Sequence, residues 1–389
     1  MEPFRVVICG AGIAGVEGLL RLRRLAGKHP DRRLDLVLLS PHLQLDYRPL
    51  AVAEPFGDQQ LRRFPLDRIT ADAGAQWVRE SLGWVDRHEQ LVFTASGRSL
   101  PYDALLLAPG GRQAPTNPFM DAFNSRHGAG MYHQILESIE DGRLTDLAFV
   151  VPDGPSWPLP LYELAFLTAQ RARERGKSVN LSLVTPAPAP LAVFGSEVSE
   201  RVATLLHVAG VRLYCGASAT MTGPGHLLVG GTAVELHPQR TVTLQRLTGP
   251  DVPGIPGDAR HRFLEIDQHC RVRNAGGRIF AAGDATLCAV KHGGLSAQQA
   301  DTAAAGIAHL AGCGPPSKPL YPVLRCALRT GTGHLYLTAD LIAGQGWNAR
   351  VDNEPPWDPQ HKIVAEELSS YLDGLAAAEQ AGAAPPPPG

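Results

Sequence analysis

The stretch FRVVICGAGIAGVEGLL, residues 4–20, decides the fold of this chain. A short apolar run meets three glycines in the spacing G-x-G-x-x-G, a helical pattern of leucines follows, and a second apolar run occupies 34–39. In such a turn Gly10 permits the tight bend, Gly12 lets the backbone approach a pyrophosphate, and Gly15 lets the helix pack close to the strand. The helix N-terminus adds amide donors and a positive dipole end. The stretch therefore predicts a dinucleotide-binding strand–helix–strand unit.

The end of the second strand departs from this pattern. An acidic residue normally stands there to bind the ribose, whereas this strand ends in Ser40 and Pro41. Asp35 comes too early in the strand to take that role. We expect the ribose contact to be weaker or to be made by Ser40.

Two further apolar runs end in glycine turns. They are YDALLLAPGGR at 102–112 and RIFAAGDAT at 278–286, and the second leads into KHGGLSAQQAD and an alanine-rich helix. A strand that ends in Gly283-Asp284 offers a carboxylate to hydroxyl groups, and the following helix N-terminus stabilises negative charge. Three glycine-marked strand ends favour a large dinucleotide ligand.

A second strand–turn–helix pattern lacks the glycines. The stretch AFVVPDGPSWPLPLYELAF, at 148–166, keeps one glycine, Gly154, in its turn. Proline has no amide donor, and its ring blocks the approach of a pyrophosphate; Trp157 would also occupy space that a dinucleotide needs. The turn contains four prolines, at positions 152, 155, 158 and 160.

Composition narrows the class of protein. The chain has 389 residues, enough for two or three domains, with 44% hydrophobic and 19% charged residues. Its net charge of −2, without a basic run, argues against nucleic-acid binding. Because no apolar segment is long enough to span a membrane and no basic, apolar leader precedes the first strand, we expect no transmembrane helix and no export. The six cysteines are scattered without zinc-site spacing, so we expect reduced thiols, no metal site and a cytoplasmic location.

The motifs together resemble a known superfamily. GAGIAG, YRPLAV, YDALLLAPGG, RIFAAGDAT and KHGGLSAQQAD occur in the order found in the pyridine nucleotide-disulfide oxidoreductase superfamily of FAD proteins. PLPLYELA and KHGGLSAQQAD look most like the branch of sulfide:quinone oxidoreductases and flavocytochrome c sulfide dehydrogenases, with the type II NADH dehydrogenases as the neighbouring branch. The resemblance covers about residues 4–340 and is specific for FAD, much less so for the reaction.

The resemblance implies an α/β fold with two Rossmann-like three-layer domains and a C-terminal extension. The expected segments are an FAD domain at 1–113 and 262–325, a degenerate NAD-type domain at 114–261, a C-terminal interface region at 326–380 and a disordered tail at 381–389. Apolar residues at 363, 364, 368, 372 and 375 predict an amphipathic helix. Because the helix carries several acids, we expect it to dock on the protein's own body or in a homodimer, with at most peripheral membrane contact.

The resemblance also implies residue roles toward noncovalent FAD. Ser40 and Pro41 would lie near the adenosine, and Lys291 would face the pyrimidine edge of the flavin, where it would raise the flavin potential. The full set of implied cofactor-binding residues is Gly10, Ala11, Gly12, Ile13, Ala14, Gly15, Ser40, Pro41, Arg48, Pro49, Leu82, Ala108, Pro109, Gly110, Gly283, Asp284, Lys291, His292, Gly293 and Gly294.

The degenerate turn and the cysteines bear on the reaction. In this superfamily the second turn binds NAD(P)H, and we expect no such binding here in the usual manner. In the sulfide-oxidising branch one redox cysteine lies in this turn and another near the C-terminus, but this chain has Ser156-Trp157 and RTGTGHLYLTAD at the matching places. Cys288 is the one thiol expected near the flavin, and packing is its expected role.

Candidates for catalysis come from the same turn. Glu163 is expected to face the flavin ring as a proton-handling carboxylate, with a helix-N-terminal structural role as the equal alternative. His292 and His334 are weaker candidates. Trp157 and Tyr162 would form aromatic walls of a substrate cavity.

Three functions remain open from the sequence. The first is an FAD-dependent oxidoreductase, similar to sulfide:quinone oxidoreductases, which passes electrons to a quinone or another small acceptor without a cysteine persulfide. The second is a type II NADH dehydrogenase-like enzyme, and the third is a flavin-binding sensor or assembly protein without turnover.

Overall fold

The computed structural model describes residues 2–57, 62–124, 128–342, 344–357 and 362–380. The predicted disordered tail at 381–389 lies outside the described residues.

The described residues form short strands and seven α-helices. The helices are α1 (Ile13–Gly27), α2 (Leu66–Asp72), α3 (Gly128–Glu140), α4 (Leu159–Glu174), α5 (Ser196–Val208), α6 (Gly293–Leu310) and α7 (Leu368–Gln380). The strands are β1 (Phe4–Cys9), β2 (Leu34–Leu39), β3 (Gln44–Tyr47), β4 (Arg62–Pro65), β5 (Gln76–Val78), β6 (Leu82–Asp86), β7 (Leu91–Thr94), β8 (Ser99–Pro101), β9 (Ala104–Leu107), β10 (Arg112–Gln113), β11 (Asp121–Phe123), β12 (Asp146–Val150), β13 (Asn180–Val184), β14 (Val211–Tyr214), β15 (Ala219–Gly223), β16 (His226–Val229), β17 (Glu235–Leu236), β18 (Arg240–Leu244), β19 (Leu247–Thr248), β20 (Ile279–Ala281), β21 (Val323–Arg329), β22 (His334–Ile342) and β23 (Gln345–Asp352).

The first parallel sheet has the strand order β20-β9-β1-β2-β5. Side chains alternate across it, as the period of a strand requires. Val6 and Ile8 pack in a cluster with α1 and α6, whereas Val7 and Cys9 pack against the antiparallel sheet β6-β7-β8. Helices, parallel sheet and small antiparallel sheet are thus three layers.

The second parallel sheet repeats this design with the order β11-β18-β12-β13-β14. Leu147 and Phe149 belong to a core that includes residues of α3, α4 and α5, and Ala148 and Val150 pack toward β15 and β16. The predicted α/β class with two Rossmann-like three-layer units is therefore confirmed. The predicted domain boundaries stay a prediction.

Helix α7 docks on the first unit. Leu368, Leu372 and Leu375 are buried in one cluster with Leu19 and Leu22 of α1. The predicted amphipathic face is therefore correct, and within this chain it is covered by the protein's own body. The helix begins at Leu368, later than the apolar pattern starts.

A buried carboxylate caps this helix. Glu17 of α1 is fully buried and accepts hydrogen bonds from the backbone amides of Glu367 (2.9 Å) and Leu368 (2.6 Å). Amides at a helix N-terminus lack intrahelical partners, so an acceptor there stabilises the helix. Arg21 adds ion pairs of 2.8 Å to Glu366 and Glu367.

Across the described residues, we find no helix with the length and apolar character needed to cross a lipid bilayer.

Replacing Leu372 by alanine tests the docking of α7. Leu372 is 1% exposed, so Leu372→Ala should lower the free energy of unfolding by about 2–5 kcal/mol through lost burial and the cavity left behind. The matched control is Leu310→Ala, because Leu310 is 37% exposed. Denaturant unfolding followed by circular dichroism measures both; equal losses would mean that α7 does not contribute to the core.

Candidate functional site

Three glycine-marked strand ends meet at one edge of the first sheet. Strands β1, β9 and β20 are parallel neighbours, so Gly10, Ala108 and Gly283 follow them at the same carboxyl edge. The chain leaves β1 toward β2 on one side, and β9 lies on the other side. In open α/β sheets, ligands bind at such a switch point.

The three glycines of the first turn have different surroundings. A Cβ on Gly10, whose φ is +105°, would lie 2.1 Å from the carbonyl oxygen of Ala108. A Cβ on Gly15 would lie 1.9 Å from the carbonyl oxygen of Gly10. Within the described part of the chain no atom lies within 4 Å of a Cβ built on Gly12. Two glycines therefore permit close backbone packing, and the third leaves an open cradle before the α1 amides, as a pyrophosphate requires.

The remaining residues of this turn border the cradle. Ala11 and Ala14 are buried and Ile13 is half-buried at the start of α1. A Cβ on Gly283 would lie 3.1 Å from the Ala14 Cβ, so the β20 end packs on the same helix. Pro109 lies beside Gly10.

Ser40 marks the end of β2 at the predicted adenosine side of the site, and its contact with a ribose stays a prediction. Ser40 follows β2 directly and is fully buried, and its carbonyl oxygen accepts a hydrogen bond from the Trp77 Nε1–H (3.2 Å). Asp35 pairs with Arg5 at 2.6 Å, which accounts for its position early in the strand.

The other predicted cofactor residues lie at the start of a strand or between strands. Leu82 begins β6, Arg48 and Pro49 form a single 3-10 turn after β3, and Gly110 has a φ of +77° in the loop after β9. Pro41 follows Ser40 and is exposed. A role toward a bound cofactor stays a prediction for each of them.

Asp284 and Lys291 face each other across the loop after β20. Burial raises the pKa of Asp284, and the nearby cations Lys291 and Arg48 oppose that rise. The Lys291 Nζ donates hydrogen bonds to the carbonyl oxygens of Asp284 (3.1 Å) and Thr286 (2.7 Å), and it lies 3.6 Å from the centroid of the Phe263 ring. The ammonium is thus held within its own loop. Burial lowers the pKa of Lys291 to about 8.

His292 precedes α6 and contacts the degenerate turn. Its ring lies 4.8 Å from the Trp157 ring, centroid to centroid. Burial lowers the pKa of His292 to about 3, with a further contribution from Lys362, so the imidazole is neutral at ordinary pH. Gly293 and Gly294 begin α6 beside it, and a Cβ on Gly293 would meet the side chains of Ile13 (2.9 Å) and Ile363 (3.2 Å).

The degenerate turn uses its backbone to contact the first unit. Between β12 and α4, the Ser156 amide donates to the Ala289 carbonyl oxygen (3.3 Å), and the Lys291 amide donates to the Ser156 carbonyl oxygen (3.4 Å). Pro158 is the N-cap of α4 and Pro160 follows within its first turn. Amide donors that would bind a pyrophosphate are therefore missing or directed elsewhere.

A cavity of about 260 Å³ lies beside this turn. The Tyr162 hydroxyl is buried, and within the described residues it has no partner with hydrogen-bond geometry, although Thr185 and the Leu191 backbone lie near. Burial raises the pKa of Tyr162. Most of the lining is apolar and includes Val151, Trp157, Pro158, Leu191, Val193 and Val290. The sequence-predicted walls Trp157 and Tyr162 thus do line one cavity.

Glu163 follows Tyr162 and is part of a buried ion pair. Its Oε2 accepts a hydrogen bond from the Lys362 Nζ at 2.5 Å, and its Oε1 accepts one from the Arg329 amide at 3.1 Å. The Glu163 side chain is fully buried and that of Lys362 is 12% exposed. The pair joins α4 to the segment before α7, near the neutral ring of His292.

Sequence reasoning missed Lys362 and Cys326. Cys326 lies on β21, is buried, and interacts electrostatically with Glu163 and Lys362; burial raises the pKa of its thiol. Cys326 is therefore a second thiol to consider beside Glu163, and the placement of Cys288 near a flavin stays a prediction. Burial also raises the pKa of Cys288, which agrees with a packing role. Lys362 is almost two hundred residues from Glu163 in sequence, so no local sequence pattern predicts their contact.

Comparisons with known proteins agree with this architecture. No protein-family model matches the chain. Two NADH dehydrogenase-like proteins, from two strains of Mycobacterium tuberculosis, are each 26% identical to it over 98% of both chains. Among solved structures, the sulfide:quinone oxidoreductase of Aquifex aeolicus superposes with a TM-score of 0.82 at 17% identity, covering 98% of this chain and 92% of that one.

Reductases of ferredoxin-type partners are also similar. Putidaredoxin reductase, in a covalent complex with putidaredoxin, gives a TM-score of 0.62 at 19% identity, covering 87% of this chain and 81% of that chain. A ferredoxin reductase from Rhodopseudomonas palustris gives 0.62 at 19% identity, covering 86% and 82%. The chain therefore has the fold of the two-Rossmann-unit flavoprotein oxidoreductases, and the resemblance inferred from the sequence is confirmed at this level.

Alanine at two glycines of one turn should have very different effects on stability. Gly15→Ala places a Cβ 1.9 Å from a backbone oxygen, so the turn must shift, and we expect a loss of about 3 kcal/mol or more in the free energy of unfolding. Gly12→Ala enters open space and should leave stability nearly unchanged. Thermal unfolding of both variants measures this; equal stability of the two would mean that the turn is not packed as described.

The buried ammonium of Lys291 should make stability depend on pH. Its pKa is about 8 in the folded chain against 10.5 as the ordinary value, so between these values the unfolded chain binds the extra proton. The free energy of unfolding should therefore rise with pH from about 8 to 10.5, by at most about 3 kcal/mol, and Lys291→Met should lack this rise. Denaturant unfolding at pH 7.5 and 10 gives the comparison, since other titrating groups cancel between the two proteins; parallel pH profiles would contradict it.

Proposed function

We propose that this protein is an FAD-dependent oxidoreductase that passes electrons through noncovalent FAD to a quinone or another small, flat acceptor, without a cysteine persulfide. The observation that carries the proposal is the contrast between the two turns. The first turn has free space at Gly12 before a helix N-terminus. In the second turn the Ser156 backbone makes hydrogen bonds to Ala289 and Lys291, and a largely apolar cavity lies beside it.

The residues at the first turn fit FAD. The open space at Gly12 and the α1 N-terminus suit its pyrophosphate, and the half-buried Asp284 carboxylate suits the hydroxyls of its ribityl chain. The N-terminus of α6 at Gly293 offers a positive dipole end to the polar edge of the flavin. When bound, FAD supplies reversible electron transfer, which the side chains of this chain do not supply.

The cavity supports a small, flat substrate. Its apolar lining and volume of about 260 Å³ suit a ring, and the buried Tyr162 side chain, whose hydroxyl lies near Thr185 and the Leu191 backbone, forms part of its wall. Trp157 separates this cavity from His292 and forms its wall. A quinone head group has this size and shape.

Glu163 and Lys362 would manage protons in this reaction. The Lys362 Nζ carries protons directly beside the Glu163 Oε2, and both lie within the protein next to His292. Since burial keeps His292 neutral, the ion pair is the better proton-handling group. Glu163 positions the ammonium, and the Arg329 amide positions Glu163.

A second candidate is an NAD(P)H oxidoreductase. The two Mycobacterium tuberculosis relatives are named NADH dehydrogenase-like proteins, and their alignment with this chain covers nearly their whole length. This similarity favours the second candidate. The prolines at the second turn and the hydrogen bonds of Ser156 oppose a nicotinamide dinucleotide bound in the usual manner. A donor screen separates the two candidates.

Rapid anaerobic mixing of the purified flavoprotein with NADH, NADPH, sulfide and a reduced quinone tests the function. Bleaching of the flavin by reduced quinone, or by sulfide followed by reoxidation with quinone, supports the proposal. Saturable, fast bleaching by NADH at micromolar concentration would establish the second candidate instead. No bleaching by any of the four would contradict both.

Glu163→Gln should slow flavin reduction or reoxidation by about 100-fold while FAD stays bound. The change keeps the shape of the side chain and removes its charge, but it leaves the Lys362 ammonium buried without a counter-ion, which itself destabilises the fold. The double variant Glu163→Gln/Lys362→Met removes that unpaired charge. We expect the double variant to regain stability and to remain slow.

Stopped-flow absorbance and thermal unfolding together give the comparison. If the double variant regains both stability and rate, the pair has a structural role and does not handle protons.

A further inference from the structure

The outer face of the hairpin formed by β16 and β17 carries two histidines and a glutamate. Leu227 pairs with Leu236 and Leu228 with Glu235 in antiparallel register. The next step of that register places His226 opposite His237, and Glu235 is two residues before His237 on the same face. All three side chains are exposed, and the histidine ring centroids lie 5.3 Å apart.

The ligand atoms of these side chains already converge. One nitrogen of each histidine and one carboxylate oxygen lie within 4.8 Å of one another. The Nδ1 of His226 is 3.0 Å from the Oε1 of Glu235. Small rotamer changes would bring these atoms to the separations of a metal coordination sphere.

The tautomer of His237 is held in a form suited to a metal. Its Nδ1 lies 3.2 Å from the carbonyl oxygen of Gly225, an acceptor, so this nitrogen carries the hydrogen and donates it. The Nε2 then has a free lone pair. Histidines that bind metals commonly donate their other N–H to a backbone carbonyl in this way, which orients the ring and raises its basicity.

The opposite face of the hairpin is a fixed platform. Leu227 and Val229 are buried in a cluster with Met221 and with Val150 of the second parallel sheet. The backbone that carries the three polar side chains is therefore anchored to the core, and a bound ion would need side-chain movement alone. Such preorganisation lowers the cost of binding.

We propose that His226, Glu235 and His237 form a surface site for a divalent cation of the zinc class. A set of two imidazoles and a carboxylate binds Zn²⁺, Cu²⁺ and Ni²⁺ in preference to Mg²⁺ and Ca²⁺. Water would complete the coordination sphere. The site lies on the outer layer of the second unit, on elements that do not line the cavity beside Trp157. The sequence predicted no metal site, because its spacing of two histidines around a hairpin matches no common zinc motif.

Calorimetric titration of the untagged, flavin-loaded full chain with zinc chloride tests this site. We expect one saturable site with micromolar affinity, and at least about a tenfold loss of affinity in His237→Ala and in Glu235→Gln. The matched control is His133→Ala, because His133 is an exposed histidine 3.5 Å from Glu137 on α3, with the same pair of ligand types but, among the described residues, no second histidine in the group. That control should bind zinc as the wild type does.

Copper gives an independent readout of the ligands. The electron paramagnetic resonance spectrum with one equivalent of Cu²⁺ should show coupling to two nitrogens in the wild type, and to one in His226→Asn. The proposal is overturned if zinc binding is absent, or if His237→Ala and the His133→Ala control bind it equally. Either result leaves the flavin reaction untouched, since none of these residues belongs to the flavin or cavity site.

Discussion

The close approach of α1 to β1 and β9 is the constraint on which the site depends. The backbone oxygens of Gly10 and Ala108 occupy the positions where side chains of Gly15 and Gly10 would stand. Because these two positions lack a Cβ, the N-terminus of α1 can lie directly over the switch point of the sheet. There is free space beside the Cα of Gly12, whereas backbone atoms fill the space beside the Cα atoms of Gly10 and Gly15. The cradle that we propose for a phosphate therefore arises from backbone packing, with no charged side chain in the turn itself.

The two parallel sheets differ in the connection between the central strand and the helix that follows it. Both have five parallel strands, four of them in equivalent order, and in both a central strand leads to a helix; the edge strand beside β9 comes last in its sheet, and the one beside β18 comes first. In the second unit the connection is longer, with α4 beginning at Leu159 after a strand that ends at Val150. The extra residues allow Ser156 to pair with the loop before Lys291 and lie beside a cavity. The same fold thus has an open glycine turn in one unit and a longer, proline-containing turn beside a cavity in the other.

The fold class and the turns of the candidate site could be predicted from the sequence because they depend on local patterns. The glycine spacing at 10–15, the strand ends at Ala108 and Gly283, and the proline-filled turn each depend on residues close together in the chain. The α/β class and the two three-layer units follow from them. The start of α7 was placed too early, because the apolar pattern continues through Ile363, which packs against Gly293 before the helix begins.

The contacts that complete the candidate site are long-range and were missed. Lys362 reaches Glu163 from the other end of the chain, and Cys326 approaches the same carboxylate from β21. The position of Lys291 at the edge of a flavin stays a prediction, and the hydrogen bonds of its ammonium to carbonyl oxygens of its own loop were not foreseen. Burial and pairing between distant segments decide these positions, and neither is visible in a motif.

The most direct test of the account is the flavin content of the purified protein. Acid precipitation should release FAD rather than FMN, at one equivalent per chain, and Gly12→Trp should yield a folded protein without flavin, because the indole fills the open cradle while Gly10 and Gly15 keep the turn. Normal FAD content in a folded Gly12→Trp variant, or a wild-type protein that never carries FAD, would contradict the central claim.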